Sequence, residues 1–133
     1  EYYKLVRNVK KVYPIAREIN RTIIETYEYL QNLPNEKARQ KHIKRVEKGL
    51  KDQYTPRMKK LSFAQGKLLI KLIDRQSNST SYELVKAFMG PFKAGFYQTF
   101  AALFGASLKK EYDPQGEDKL TERVVLMVEN GQI

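Results

Sequence analysis

LSFAQGKLLIKLIDRQ, residues 61–76, is the stretch on which the reading of the fold turns. Set on a helical step of about 100° per residue, Phe63, Leu68, Leu69, Ile70, Leu72 and Ile73 cover nearly the whole circumference. Only Lys67, Lys71 and Asp74 form a narrow polar strip. A half-buried strand would alternate apolar and polar residues, and this run does not. Ser62, followed three residues later by Gln65, makes a capping box that opens a helix over 63–75. A helix apolar on almost every side must be surrounded by other elements, so the stretch predicts a helical domain with this segment at its centre.

Working outward, residues 76–80 read as a polar loop, and Thr80 with Glu83 forms a second capping box. The helix it opens is expected to stop near Met89, because Gly90-Pro91 follows. Phe92, Phe96, Tyr97, Phe100, Leu103 and Phe104 lie on a further apolar helix that closes near Gly105. Asp113-Pro114-Gln115-Gly116 reads as a turn, and a last helix over 117–130 ends before Gly131. Upstream, residues 2–33 carry two apolar stripes. Leu5, Val6, Val9 and Val12 precede Pro14; Ile15, Ile19, Ile23, Leu30 and Leu33 follow it, rotated by about a quarter turn. A kink or short break at Tyr13-Pro14 accounts for the rotation. Leu33-Pro34-Asn35 is a turn, with Asn35 as N-cap of a helix over 36–53. The expectation is one all-α, compact domain of five or six helices. A basic helical arm, 1–60, packs on an apolar core, 61–133, whose two central helices are 63–75 and 92–104.

Charge is distributed unevenly along this plan. Sixteen of the 25 Lys and Arg residues fall in positions 1–60 against seven carboxylates, while 61–133 holds nine basic and eight acidic side chains. Between Lys37 and Lys60, ten basic residues face only Glu47 and Asp52. Lys37, Lys41, Lys44, Lys48 and Lys51 recur at spacings of four and three, which aligns them along one helix face. Ile43, Val46, Leu50 and Tyr54 occupy the opposite face, with Arg39 intruding near its start and expected to pair with a carboxylate or reach outward. Concentrated positive charge usually faces an anionic partner.

Residue types narrow the chemistry. With no cysteine, there is no disulfide, thiolate metal site or cysteine nucleophile. His42 is the sole histidine and reads as a boundary residue beside Val46. No Gly-x-Ser-x-Gly elbow and no phosphate-binding glycine pattern occurs, so no catalytic residue and no cofactor or metal is assigned. Asp113, Glu117 and Asp118 cluster around Gly116, but lack the alternating ligands of a calcium loop and read as an acidic turn before the last helix. Lys67, Lys71, Asp74 and Arg75 are a candidate anion site, with Arg75 holding a phosphate or carboxylate, or else a structural ion-pair network. The run 90–108 is interrupted by Lys93 and Gln98 and reads as a buried helix rather than a membrane span.

The 61–76 stretch, Ser81-Tyr82-Glu83-Leu84, the aromatic helix 92–104, Glu111-Tyr112-Asp113-Pro114 and the ending Val128-Glu129-Asn130-Gly131-Gln132-Ile133 together resemble an uncharacterised Bacteroidetes family, a domain of unknown function. Members of that family usually begin with an export signal. The resemblance thus implies an exported, envelope-associated protein, with its leader lying before Glu1, and it implies no reaction. The expected function is a non-enzymatic binding or scaffold module using Lys37, Lys41, Lys44, Lys48 and Lys51, and the expected partners are an acidic protein, anionic lipid or lipopolysaccharide. A nucleic-acid-binding domain is the alternative, although Tyr54 is the only aromatic near the stripe. A small-anion or enzymatic site on 67–75 is the third reading.

Overall fold

Nine residues of one helix, from Val9 to Leu30, are withdrawn from water along a single face, and the rest of the chain is arranged around that face. The structure, a computed structural model, describes residues 1–78, 83–105 and 111–133. Among the described residues there are five helices and no strand: α1 (Tyr2–Leu30), α2 (Glu36–Lys59), α3 (Phe63–Asn78), α4 (Glu83–Phe104) and α5 (Lys119–Glu129). They form one compact all-α domain. Helix α1 packs chiefly on α3 and also on α5, α3 packs on α4, and α2 bridges α1 and α4.

Local chemistry sets most boundaries. Asn35 Oδ1 accepts the Ala38 amide at 2.9 Å and so starts α2. Ser62 and Gln65 exchange both bonds of a capping box at 3.1 Å, fixing the first turn of α3. Gly131 takes φ +71°, and Gln132 N–H reaches back to Met127 O at 2.9 Å while Gly131 N–H bonds Val128 O. This Schellman closure satisfies the last carbonyls of α5, and the left-handed step at its centre favours glycine. Thr80 lies outside the described residues, so its expected cap has no structural counterpart here.

Helices run through three prolines here, which corrects the expected stop at Gly90-Pro91 and the expected end of α2 near residue 53. Helix α1 continues through Pro14, α2 through Pro56 to Lys59, and α4 through Gly90-Pro91 from Glu83 to Phe104. Each proline leaves one carbonyl, four residues earlier, without its amide donor. Those carbonyls belong to Lys10, Asp52 and Ala87, which are exposed, as are the three prolines. Water can therefore take up the lost bonds. Buried neighbours on both sides, such as Tyr13 and Ile15, Tyr54 and Met58, and Met89 and Phe92, hold the helices together across the defect.

The core is continuous. Leu69, Leu72, Ile70 and Ile73 of α3 meet Val12, Ile19 and Ile23 of α1, with Phe100 of α4 and Val124 and Val125 of α5 completing it. Phe63 departs from the expected pattern: it is half exposed and caps the α3–α4 seam, its ring 5.7 Å from Phe100 and 5.9 Å from Phe104. Gly66 permits that seam to close, because a Cβ there would lie 2.7 Å from Phe104 Cε2.

Candidate functional site

The five aligned lysines of α2, Lys37, Lys41, Lys44, Lys48 and Lys51, are all exposed. Lys48 lies 3.7 Å from Asp52, one turn on, and among the described residues it is the only one of the five in an ion pair. On the other side of α2, Ile43, Val46, Leu50 and Tyr54 join the core. Arg39 pairs with Glu36 at 3.2 Å and donates to Leu33 O at 3.4 Å, binding the start of the helix to the turn before it. Arg57 bridges to Glu18 of α1 at 3.1 Å and lies over the Tyr54 ring. His42 is half-buried and packs its ring 4.6 Å from that of Tyr29.

Followed along α2, the lysine face becomes the wall of a groove. Lys44, Lys48 and Lys51 line one edge, and one turn further on the same face carries Thr55 and Met58. Across from them, α4 supplies Pro91, Gly95, Ala102 and Leu103. The groove encloses about 710 Å³ over a floor of Leu50, Met58, Phe92 and Phe96. Its room comes from small residues on α4: a Cβ at Gly95 would meet nothing within 4 Å. Sequence reasoning placed the lysines but not the groove, because an under-filled seam between two helices depends on how they are set against a third.

The polar strip of α3 is not a second open site. Lys71 and Asp74 are buried, Arg75 is largely covered, and Lys67 is half-buried. Lys71 Nζ reaches Asp118 Oδ1 at 2.7 Å, at the start of α5. Asp74 accepts Lys93 Nζ of α4 at 2.6 Å and the Tyr112 amide at 2.8 Å. Arg75 forks onto both oxygens of Glu122, at 2.8 and 3.1 Å, and reaches Glu129 at 3.2 Å. Tyr13 of α1 donates to the other Glu129 oxygen, and Tyr112 Oη donates to Glu122 at 2.9 Å. Three cations thus meet four carboxylates.

The titration of this cluster follows from that pairing. Hydrogen bonds from Arg75 hold the Glu122 carboxyl below its usual range, against the opposing pull of burial, and Tyr112 adds to the lowering. Burial works against the charge of Arg75, but Glu122 outweighs it and keeps the guanidinium firmly protonated. Burial and the Glu122 carboxylate push the Tyr112 phenol well above its normal range. Tyr97 is pushed up to about 12 by burial and by the neighbouring Asp74 charge. None of these shifts creates a group poised to exchange a proton near neutrality.

Lys67, Lys71, Asp74 and Arg75 read from the sequence either as an anion site or as a structural ion-pair network; in the structure Lys71 and Arg75 are each engaged by a carboxylate from α5 or its start. A further anion would enter beside four negative charges, so the arrangement serves to tie α1, α3, α4 and α5 together. Lys93 was visible in the sequence only as an interruption of an apolar run. A lone cation on an aromatic helix was the available signal that a buried carboxylate awaited it. The acidic turn has a similar explanation. Asp118 precedes α5 without a side-chain cap and instead accepts Lys71 and the Asp113 amide. Among the described residues no three His, Cys, Asp or Glu side chains converge in a way that could hold a metal ion. No helix among them is long and apolar enough to cross a membrane.

A family described as a domain of unknown function, DUF4294, matches residues 1–127, and the chain belongs to it. No curated protein and no solved structure matches the chain.

Proposed function

We propose, taking membership of this family of unknown function as the premise, that the protein is a non-enzymatic binding or scaffold module whose basic surface is the lysine face of α2. In this reading Lys37, Lys41, Lys44, Lys48 and Lys51 meet an anionic partner: anionic lipid, lipopolysaccharide or the acidic face of a protein. The setting that fits such partners, and the resemblance noted above, is the cell envelope of a Bacteroidetes species, reached by export.

One contrast carries the reading. Lys71 and Arg75 of α3 and Lys93 of α4 are matched by carboxylates, whereas four of the five aligned, exposed lysines of α2 have no ion-pair partner among the described residues. Unpaired like charges along one helix repel each other, and an external anion relieves that repulsion. Binding of this kind releases counterions and is therefore steeply salt-dependent. Replacing Lys41, Lys44 and Lys48 by Gln should shift elution from heparin, or release from anionic vesicles, to distinctly lower salt while the melting temperature stays near that of the wild type. Elution of the triple variant at the wild-type salt concentration overturns the proposal.

A further inference from the structure

The groove between α2 and α4 joins two features that rarely meet by chance: an apolar floor and a rim of exposed lysines. We infer that it is a binding site for a single-chain anionic lipid, the acyl chain lying between α2 and α4 and the head group resting among Lys44, Lys48 and Lys51. The inference rests on the reading of these lysines as contacts for an anionic partner, and it goes further by naming the chemistry of the ligand.

Two observations point to the occupant. The first is size. A volume of about 710 Å³ falls within the range of small-molecule sites. The lining runs along α2 from Lys44 to Met58, about 20 Å at the helical rise of 1.5 Å per residue. A space of that length suits an extended chain. The second is polarity. Leu50, Met58, Phe92 and Phe96 form a floor with no charged group, while Lys44, Lys48 and Lys51 stand at one edge with Glu47 as the only carboxylate in the lining. The charge complements one anionic head rather than a zwitterion or a neutral sugar.

The shape also shows how to test the site without disturbing the fold. A side chain at Gly95 would enter open space, and leucine is a better helix former than glycine, so Gly95→Leu should fold while filling the groove. The probes are butyl, hexyl, octyl, decyl and dodecyl phosphate, each kept below its micelle concentration, with binding to the 133-residue chain read by calorimetry. If the chain is buried, affinity should rise by about twofold to fourfold per added methylene, then level off once the groove is full. Dodecyl maltoside, with a neutral head, should bind at least tenfold more weakly than dodecyl phosphate. Gly95→Leu should abolish the chain-length dependence and leave heparin retention unchanged. Equal affinity for butyl and dodecyl phosphate overturns the inference, and so does a Gly95→Leu variant that is folded, retains heparin binding and still shows the full chain-length series. Either result leaves the polyanion reading standing, whereas wild-type heparin elution in the lysine triple variant removes that reading by itself.

Discussion

Both carboxylate oxygens of Asp74 are engaged, one by Lys93 and one by the Tyr112 amide, and the residue is fully excluded from solvent. Removing it strands a backbone donor and leaves a largely covered ammonium without its counter-charge. Asp74→Ala should therefore cost about 3 kcal/mol or more, the scale of a broken buried pair. Lys86 makes the opposite case, since it faces Glu83 across 3.5 Å at the surface, where solvent screens both charges. Lys86→Ala should change stability by less than about 0.5 kcal/mol. Urea denaturation of the two variants beside the wild type measures both effects. Near-equal midpoints for the two would mean that the Asp74 cluster is wetter than its geometry implies.

At the scale of the element, the ends of helices are set by their own residues and the middles by their neighbours. Ser62→Ala removes the oxygen that holds the Gln65 amide and should cost about 0.5–2 kcal/mol, read as a lower melting temperature. Asn35, Ser62 with Gln65, and Gly131 were legible in the sequence because each acts within three or four residues of itself. The helical middles were legible wherever an apolar stripe ran unbroken, as in α3. Pro91 misled for a physical reason: the loss of a helical hydrogen bond is a local penalty of about 3 kcal/mol, and burial of the flanking turns exceeds it. The candidate site divides in the same way. The spacing of Lys37 through Lys51 is a property of one helix and could be read directly. The partners of Lys71 and Arg75 stand 47 residues away in the sequence, and the groove needs Gly95 and Ala102 set opposite Lys51 and Thr55, which no local pattern records.

For the whole molecule, the network that links four helices makes stability depend on pH at both ends of the range. The Glu122 carboxyl has a folded pKa below its ordinary value, so its contribution is present above about pH 4.5 and is lost as pH falls through the folded value. The phenols of Tyr112 and Tyr13 are raised, so theirs is present below about pH 10 and is lost as pH climbs beyond it. Denaturation midpoints across pH should fall on both flanks. Glu122→Gln should flatten the acid limb, its deficit against the wild type shrinking as pH falls below about 4.5. An unchanged acid limb would assign acid sensitivity to other carboxylates. The packing of α1 against both α3 and α5 bears on synthesis as well as on equilibrium. The chain completes Leu30 long before Glu129, and at roughly 5–20 residues per second the interval is about 5–20 s. Throughout that interval the apolar face of α1 lacks its cover, first from α3 and then from α5. On the ribosome, it is the apolar face of this domain that waits longest for its cover, and so the one that a chaperone gripping apolar segments would hold longest.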